Sequence, residues 1–286
     1  MLTNSNLIIT ALKHLLYKNL NREMVGFSRE FELPTFSIKD IKSYAEATKD
    51  DVNFYSENSI IPPLFVSRLI HPFLMNFITD PKLRMNILKM VHGELSIRWL
   101  SPIYISDRLS LKMELKEIVD TSAGELLRLS FLIRRESNEV AEAIAGLLIR
   151  NPKGEKSKRE EVEKETIFTT EIKTDPDQAR KYAKASLDNN LIHTSSLFAK
   201  LVGLKRPILH GVCVFAMTCN ELLKRFASSD KSKLIYMSGR FAYPVYPGET
   251  IKLRCYRGEG DNIIDFEVIN TFGKQNIRFG KFEFRR

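Results

Sequence analysis

Apolar and polar residues along this chain fall into two copies of one pattern. Each copy begins with a short strand and a short helix, continues with a longer apolar helix, and ends with three or four strands. Residues 109–116 and 250–257 alternate apolar and polar positions, as half-buried strands do. We expect the strand series to start at Ile97 and Arg240, and a hairpin turn near Gly258-Glu-Gly-Asp-Asn. This order of elements indicates an α+β unit with an antiparallel sheet.

The helix predicted after Gly211 has almost no polar face in its first two turns. Its apolar residues are Val212, Cys213, Val214, Phe215, Ala216, Met217, Cys219, Leu222, Leu223 and Phe226. A helix that is apolar all round is buried all round. An antiparallel sheet wrapped around one buried helix is the hot-dog fold, so two tandem units predict a double hot dog.

Matching segments of sequence support the two copies. Residues 44–50 (YAEATKD) match residues 182–188 (YAKASLD) at an offset of 138 residues. Residues 102–112 match 244–254 further along, and the ends of the two copies also run parallel. A repeat of this length fixes the architecture before any motif is considered.

The copies predict three regions: an N-terminal unit over residues 1–150, a linker over 151–166 and a C-terminal unit over 167–286. The linker contains mixed charges, and Val162 is its one branched apolar residue, which predicts an exposed segment. At the N-terminus, apolar residues at helical spacing predict a helix that docks on its own unit and not on a membrane surface. These residues are Leu7, Ile8, Ala11, Leu12, Leu15 and Leu16.

Composition favours a globular protein of the cytoplasm. The chain has 286 residues and is 43% hydrophobic, but no apolar run approaches the roughly 20 residues of a membrane span, and no export signal is evident. Its three cysteines include no Cys-x-x-Cys pair, which argues against a disulfide framework or a zinc site. The net charge of +9 is spread among acidic residues, so we expect no nucleic-acid partner. The surplus of positive charge is compatible with an acidic ligand.

The second copy carries a specific constellation. Tyr182-Ala-Lys-Ala-Ser-Leu-Asp-Asn-Asn-Leu-Ile-His193 is followed by Phe198-Ala-Lys and by Arg206-Pro-Ile-Leu-His-Gly211. In order and spacing this resembles the signature of the MaoC-like hydratases and dehydratases of the two-hot-dog type. The first half extends the likeness with its own His-Gly-Glu at His92.

The resemblance implies an (R)-specific enoyl-thioester hydratase or 3-hydroxyacyl-thioester dehydratase of fatty-acid metabolism. Its catalytic pair would be Asp188 and His193, and Gly211 would supply the oxyanion hole. Three further residues would support the site or bind substrate: Asn190, Ser186 and His210. The expected substrate is an acyl group carried on coenzyme A or on acyl carrier protein.

This chemistry suits the residue types. Water must attack C3 of an enoyl thioester while C2 gains a proton, and a carboxylate and an imidazole beside one water can make both transfers. Charge then develops on the thioester oxygen, where a backbone N–H at the start of a buried helix can stabilise it. We therefore expect neither a metal nor a cofactor. Cys213, in so apolar a helix, is expected to be inert core and not a nucleophile.

Two residues of the constellation depart from the family pattern. Leu187 replaces the glycine before the aspartate, and Leu191 replaces the proline after the asparagine. Glycine permits backbone angles that leucine resists, and proline stiffens a loop. We expect these changes to act on the loop geometry, and through it on the activity, more than on the fold.

The first copy has lost the constellation. It keeps Asp50, but Tyr55 stands at the position of His193. Aligned through Pro63, the counterpart of His210 is Val66, and that of Gly211 is a serine. The apolar residues beyond it form plain core or line a tunnel for the acyl chain: Phe65, Leu69, Ile70, Phe73, Leu74, Met75 and Phe77.

Two other functions stay open at this point. The leucine replacements make an inactive acyl-CoA or acyl-carrier binding protein a reasonable alternative, and a hot-dog thioesterase would act on the same substrates. A homodimer is also left open.

Overall fold

One antiparallel sheet of ten strands dominates the computed structural model, which describes residues 17, 20–87, 90–150 and 165–286. The strand order is β1-β3-β4-β5-β2-β7-β10-β9-β8-β6. The strands are β1 (Ser28–Glu32), β2 (Met90–Trp99), β3 (Leu109–Thr121), β4 (Gly124–Arg135), β5 (Asn138–Arg150), β6 (Thr166–Lys173), β7 (Leu234–Phe241), β8 (Thr250–Arg257), β9 (Ile263–Ile269) and β10 (Gln275–Phe284).

The strand order repeats itself from the two edges toward the centre. From one edge the order is first, third, fourth, fifth and second strand of the N-terminal half, and from the other edge it is the same for the C-terminal half. β2 and β7 join the halves as an antiparallel pair, with Ser96 opposite Ser238 at the middle of their register. The double hot dog predicted from the duplication is therefore confirmed.

Helices cover one face of each half-sheet. The described residues contain six α-helices: α1 (Ile38–Ala47), α2 (Val66–Ile78), α3 (Gln178–Ser186), α4 (Leu191–Thr194), α5 (Ser196–Leu201) and α6 (Gly211–Phe226). Buried residues occur on every side of α6 from Cys213 to Cys219, as its composition predicts. A Cβ at Gly239 would lie 2.8 Å from Ile277 and 3.2 Å from Phe215, so the glycine lets β7 approach α6.

Each central helix also contacts the other half. On α6, Cys213 and Asn220 lie against the backbone of Ala47 and Thr48 in the first half. In the opposite sense, Arg68 of α2 donates a 2.5 Å hydrogen bond to the carbonyl of Ala185 in the second half. The two aspartate loops are thus each covered by the helix of the other copy.

The duplicated tyrosines show how the halves correspond. Tyr44 and Tyr182 meet, with their hydroxyls 3.3 Å apart. The ring of Tyr44 packs on Phe65 at 5.3 Å, and that of Tyr182 packs on His210 at 4.9 Å. The counterpart of His210 is therefore Phe65, and the prediction of Val66 was wrong by one residue. The counterpart of Gly211 also shifts by one residue, because the two copies were aligned through Pro63, the second of two adjacent prolines.

The strand boundaries also need correction. β2 begins at Met90 and β7 at Leu234, so Ile97 and Arg240 lie near the ends of these strands and not at their starts. The predicted N-terminal helix lies outside the described residues, and so does most of the predicted linker, of which Thr166 already begins β6. Within the part of the chain that the structure describes, no helix is long and apolar enough to span a bilayer.

Candidate active site

The loop after α3 is built around a left-handed residue. Leu187 caps the helix at φ 63° and ψ 9°, a conformation that costs a non-glycine residue about 1 kcal/mol. The amide of Asp188 then donates to Ser186 Oγ at 3.2 Å, and the amide of Asn190 donates to Asp188 Oδ1 at 3.2 Å. The sequence rightly identified position 187 as one that suits glycine, and the structure shows that leucine still adopts the required angles.

Replacing Leu187 should separate this backbone cost from side-chain packing. We expect Leu187→Gly to be more stable than Leu187→Ala by about 1 kcal/mol, because both variants lack the side chain but only alanine keeps the unfavourable φ. Urea unfolding of the two variants measures the difference. Equal stabilities, or a more stable alanine variant, would show that the left-handed angle carries no cost here.

Asn190 and Leu191 start the short helix that carries His193. Asn190 Oδ1 accepts a hydrogen bond from the amide of Ile192 at 3.2 Å and so caps α4. Leu191 occupies the first helical position, where proline is favoured but not required. Asn190 therefore braces the loop, and the helix forms without the proline.

His193 is buried, with 8% of its surface exposed, and its ring orientation is fixed. Its Nδ1 lies 2.9 Å from the carbonyl oxygen of Ile208. Since a carbonyl only accepts, we assign the proton to Nδ1, which leaves the Nε2 lone pair available. Burial outweighs the nearby Asp188 and lowers the pKa of His193 below that of a free imidazole. At neutral pH His193 is thus an uncharged ring with a free basic nitrogen.

His210 lies behind this ring. The two imidazoles stack with centroids 3.6 Å apart and planes at 23°, and the ring of Tyr182 also contacts His210, with centroids 4.9 Å apart. His210 Nε2 donates to the backbone oxygen of Asp188 at 3.0 Å, while its buried Nδ1 has no partner among the described residues. Burial, reinforced by His193, lowers the pKa of His210 to about 3. His210 therefore supports the aspartate loop as a neutral ring.

Asp188 lies among histidines from both halves of the chain. Its carboxylate is 26% exposed, and His71 Nε2 of α2 is 3.6 Å from its Oδ1. Burial, the largest effect, favours the neutral acid, but the charges that His71, His210 and His193 can carry outweigh it and lower the pKa of Asp188 to about 2. Asp188 is ionised at neutral pH.

Two histidines near Asp188, His71 and His92, come from the first half, in which the sequence predicts no catalytic residue. His71 was not singled out, and His92, which packs on Phe241 with ring centroids 4.9 Å apart, was noted only as part of a strand motif. Four of the five histidines in the chain surround one carboxylate. The available signal was the presence of His71 in the mostly apolar part of α2 from Leu69 to Met75, although the sequence does not show what it faces.

The buried histidines should make stability sensitive to mild acid. Burial lowers the pKa of His92 to about 4 and that of His210 to about 3, against about 6.5 in an unfolded chain. The unfolded state then binds more protons, so stability is complete above pH 6.5 and falls as the pH drops toward the folded pKa values. These two groups should cost about 2 kcal/mol between pH 6.5 and 5.5.

Urea unfolding across this pH range measures the effect, and His92→Phe, which keeps a ring against Phe241, should remove about half of it. Carboxylates titrate mainly below pH 5.5, so they contribute little to the change in stability over this range. A flat stability between pH 6.5 and 5.5 would mean that these histidines are not buried as neutral rings.

Gly211 is the first residue of α6, as predicted. A Cβ at this position would lie 3.0 Å from Cδ1 of Phe241, so glycine allows the helix to begin against β7. The amides of a first helical turn lack intrahelical acceptors and point along the positive end of the helix dipole. The start of α6 can therefore stabilise an anion.

The site contains three possible metal ligands. Donor atoms of Asp188, His193 and His210 lie within 4.8 Å of one another. However, the two imidazoles are stacked, and an ion shared between them would lie far from both ring planes, whereas imidazole lone pairs lie in the plane. The donor set fits a metal poorly. Cys213 is buried in α6, and burial raises the pKa of its thiol, which agrees with inert core.

The duplicated position in the first half holds a different group of side chains. Tyr55 donates a short hydrogen bond to Asp50 Oδ2, and Lys231 of the second half lies 3.4 Å from the same oxygen. The side chains of Asp50 and Lys231 are only 8% and 9% exposed. A buried ion pair thus fills the position that corresponds to the Asp188 site.

Together, the sheet, the buried helices and the histidines around Asp188 define a double hot-dog protein with a carboxylate and histidine site in its second half. Residues 157–277, which lie mostly in the second half, match the family described as the MaoC like domain. The resemblance to MaoC-like hydratases and dehydratases that the sequence showed is confirmed.

Similar proteins carry related names. The chain is 28% identical over 203 residues to 3-hydroxyacyl-thioester dehydratase Y of Mycobacterium tuberculosis, covering 66% of this chain and 70% of that protein. It is 27% identical over 192 residues to peroxisomal multifunctional enzyme type 2 of Mus musculus, covering 64% of this chain but only 26% of that protein. The chain thus spans about a quarter of the mouse enzyme.

Solved structures agree on the fold. A MaoC-like dehydratase from Phytophthora capsici superposes with a TM-score of 0.81 at 26% identity, covering 93% of this chain and 98% of that one. A Mycobacterium tuberculosis protein described as having a double hotdog fold superposes at 0.59 with 10% identity, over 91% and 96% of the two chains, which is a likeness of fold alone.

Proposed function

We propose that this chain is a hydro-lyase. It would add water to 2-enoyl thioesters to form (R)-3-hydroxyacyl thioesters, and in the reverse direction it would dehydrate the 3-hydroxyacyl thioesters. One observation supports this most directly: an ionised Asp188 adjoins a neutral His193 whose Nε2 is free, close to the start of the buried helix α6. Enoyl-CoA hydratase and 3-hydroxyacyl-thioester dehydratase are the names of similar proteins. Both reactions are those of lyases.

In the proposed reaction, Asp188 and His193 hold one water beside C3. As the C3–O bond forms, a water proton moves to His193 Nε2, and the C2=C3 electron pair shifts toward the thioester oxygen. The Gly211 amide donates to this oxygen while it is negative. The imidazolium then returns the proton to C2, so that one molecule of water has been added and the enzyme is regenerated.

The remaining residues have positioning roles in this proposal. Ser186 and Asn190 fix the loop, and His210 holds the Asp188 backbone while it stacks on His193. The step requires no metal or redox cofactor. The carrier of the acyl group is coenzyme A or acyl carrier protein, whose acidity suits the net charge of +9. The first half would line the acyl-chain path.

A direct assay separates the proposal from its alternatives. Purified protein is incubated with trans-2-enoyl-CoA of several chain lengths, and the conjugated enoyl absorbance and free thiol are followed together. Hydration removes the absorbance without releasing thiol. Binding with unchanged absorbance would indicate an inactive acyl-CoA binding protein, and release of thiol would indicate a thioesterase; either result contradicts the proposal.

A further inference from the structure

His71 is the group of the first half that comes nearest to the proposed catalytic carboxylate. It lies on α2, its side chain is 20% exposed, and its Nε2 is 3.6 Å from Asp188 Oδ1. This distance is longer than a hydrogen bond, but catalytic contacts often tighten when substrate binds. The contact joins the two halves at the site.

The turn before His71 holds α2 in place across the halves. Arg68 lies three residues earlier and donates to the carbonyl of Ala185 at 2.5 Å and to Asp40 Oδ1 at 2.6 Å. Ala185 belongs to the end of α3, immediately before the aspartate loop. His71 is therefore presented to Asp188 by a helix that is anchored to the same loop.

Both contacts to the carboxylate fall on one of its oxygens. The amide of Asn190 donates to Oδ1, which is also the oxygen that faces His71. Asp188 Oδ2 accepts no hydrogen bond from any residue that the structure describes. Fixing Oδ1 in this way sets the carboxylate rotation and leaves Oδ2 for the water.

We propose that His71 is a positioning residue, supplied by the first half, that holds Asp188 Oδ1 so that Oδ2 faces the reacting water. This inference rests on the proposed hydratase function. It gives the first half a part in the chemistry, beyond the lining of an acyl path.

A pair of substitutions at the same position tests this role. His71→Leu removes the donor at similar size, while His71→Gln keeps an N–H that can reach Oδ1. We expect His71→Leu to lower kcat about 30-fold with KM within about twofold, and His71→Gln to recover most of the loss. An unchanged kcat in His71→Leu, or an equal loss in both variants, would overturn the proposal.

A measurement that does not depend on activity keeps this inference separate from the proposed function. Crystal structures of the wild type and of the two variants show the carboxylate directly. In His71→Leu the Asp188 carboxylate should turn so that Oδ1 leaves its wild-type position, and in His71→Gln the amide N–H should hold Oδ1 where it lies in the wild type. An unmoved carboxylate in His71→Leu would show that His71 does not position Asp188, whereas a carboxylate that moves as expected in a protein that fails to hydrate enoyl-CoA would refute only the function.

Discussion

Asp188→Asn should lower kcat for enoyl-CoA hydration by about 1,000-fold, equivalent to about 4 kcal/mol of transition-state stabilisation. Asparagine keeps the size of the side chain but cannot remain an anion beside the water and the imidazole. His193→Gln should have an effect of the same order, because its amide can still donate to the Ile208 carbonyl but offers no basic nitrogen. Steady-state kinetics on folded protein measures both losses.

The two residues act on one water, so their losses should not add. We expect kcat of the double variant to be only slightly lower than kcat of the less active single variant. The matched control is Asp50→Asn, the same substitution at the duplicated position, which should leave kcat per folded molecule within about twofold. Near-wild-type turnover in Asp188→Asn or His193→Gln, or an equal loss in the control, would remove the pair from its proposed role.

Lys231→Met should lower the free energy of unfolding by about 4 kcal/mol. The substitution removes the partner of a buried carboxylate: Lys231 Nζ lies 3.4 Å from Asp50 Oδ2, and it also sits over the rings of Phe54 at 4.7 Å and Tyr55 at 5.0 Å. Methionine keeps the length of the side chain without its charge. An unpaired charge would then remain in a site that is almost closed to water.

A compensating variant distinguishes lost charge pairing from lost packing. Asp50→Asn combined with Lys231→Met removes both charges and keeps an acceptor for the Tyr55 hydroxyl. Urea unfolding should show that the double variant regains more than half of the stability lost in Lys231→Met. If the double variant were no more stable than Lys231→Met, the loss would come from packing and not from the buried charge.

The fold could be predicted because its determinants are local and repeated. Alternating strands, one all-apolar helix and the matching segments around Tyr44 and Tyr182 specified two hot-dog units. The missed strand starts at Met90 and Leu234 have a physical reason. In β2, buried residues alternate only from Leu95 onward and Met90 to Glu94 are all half-buried, while in β7 the alternation is interrupted between Leu234 and Met237, so the pattern marks the later part of each strand and not its start.

The site was predictable only for the half that contains the constellation. The loop from Leu187 to His193 could be located because its residue types and spacing follow a pattern within one segment. His71 could not, because its contact with Asp188 joins residues more than a hundred positions apart and depends on how α2 crosses the halves. Lys231 was missed for the same reason, since nothing near it in sequence shows that it reaches Asp50.

The central claim is that water activated by Asp188 and His193 adds to C3 of an enoyl thioester, and oxygen-18 water tests it most directly. Wild-type protein and Asp188→Asn are incubated with trans-2-enoyl-CoA in this water, and the products are analysed by mass spectrometry. We predict a 3-hydroxyacyl-CoA with one labelled oxygen at C3 from the wild type, and almost none from the variant. Label in the carboxyl group of a free acid, unchanged enoyl-CoA, or equal labelling by both proteins would contradict the account.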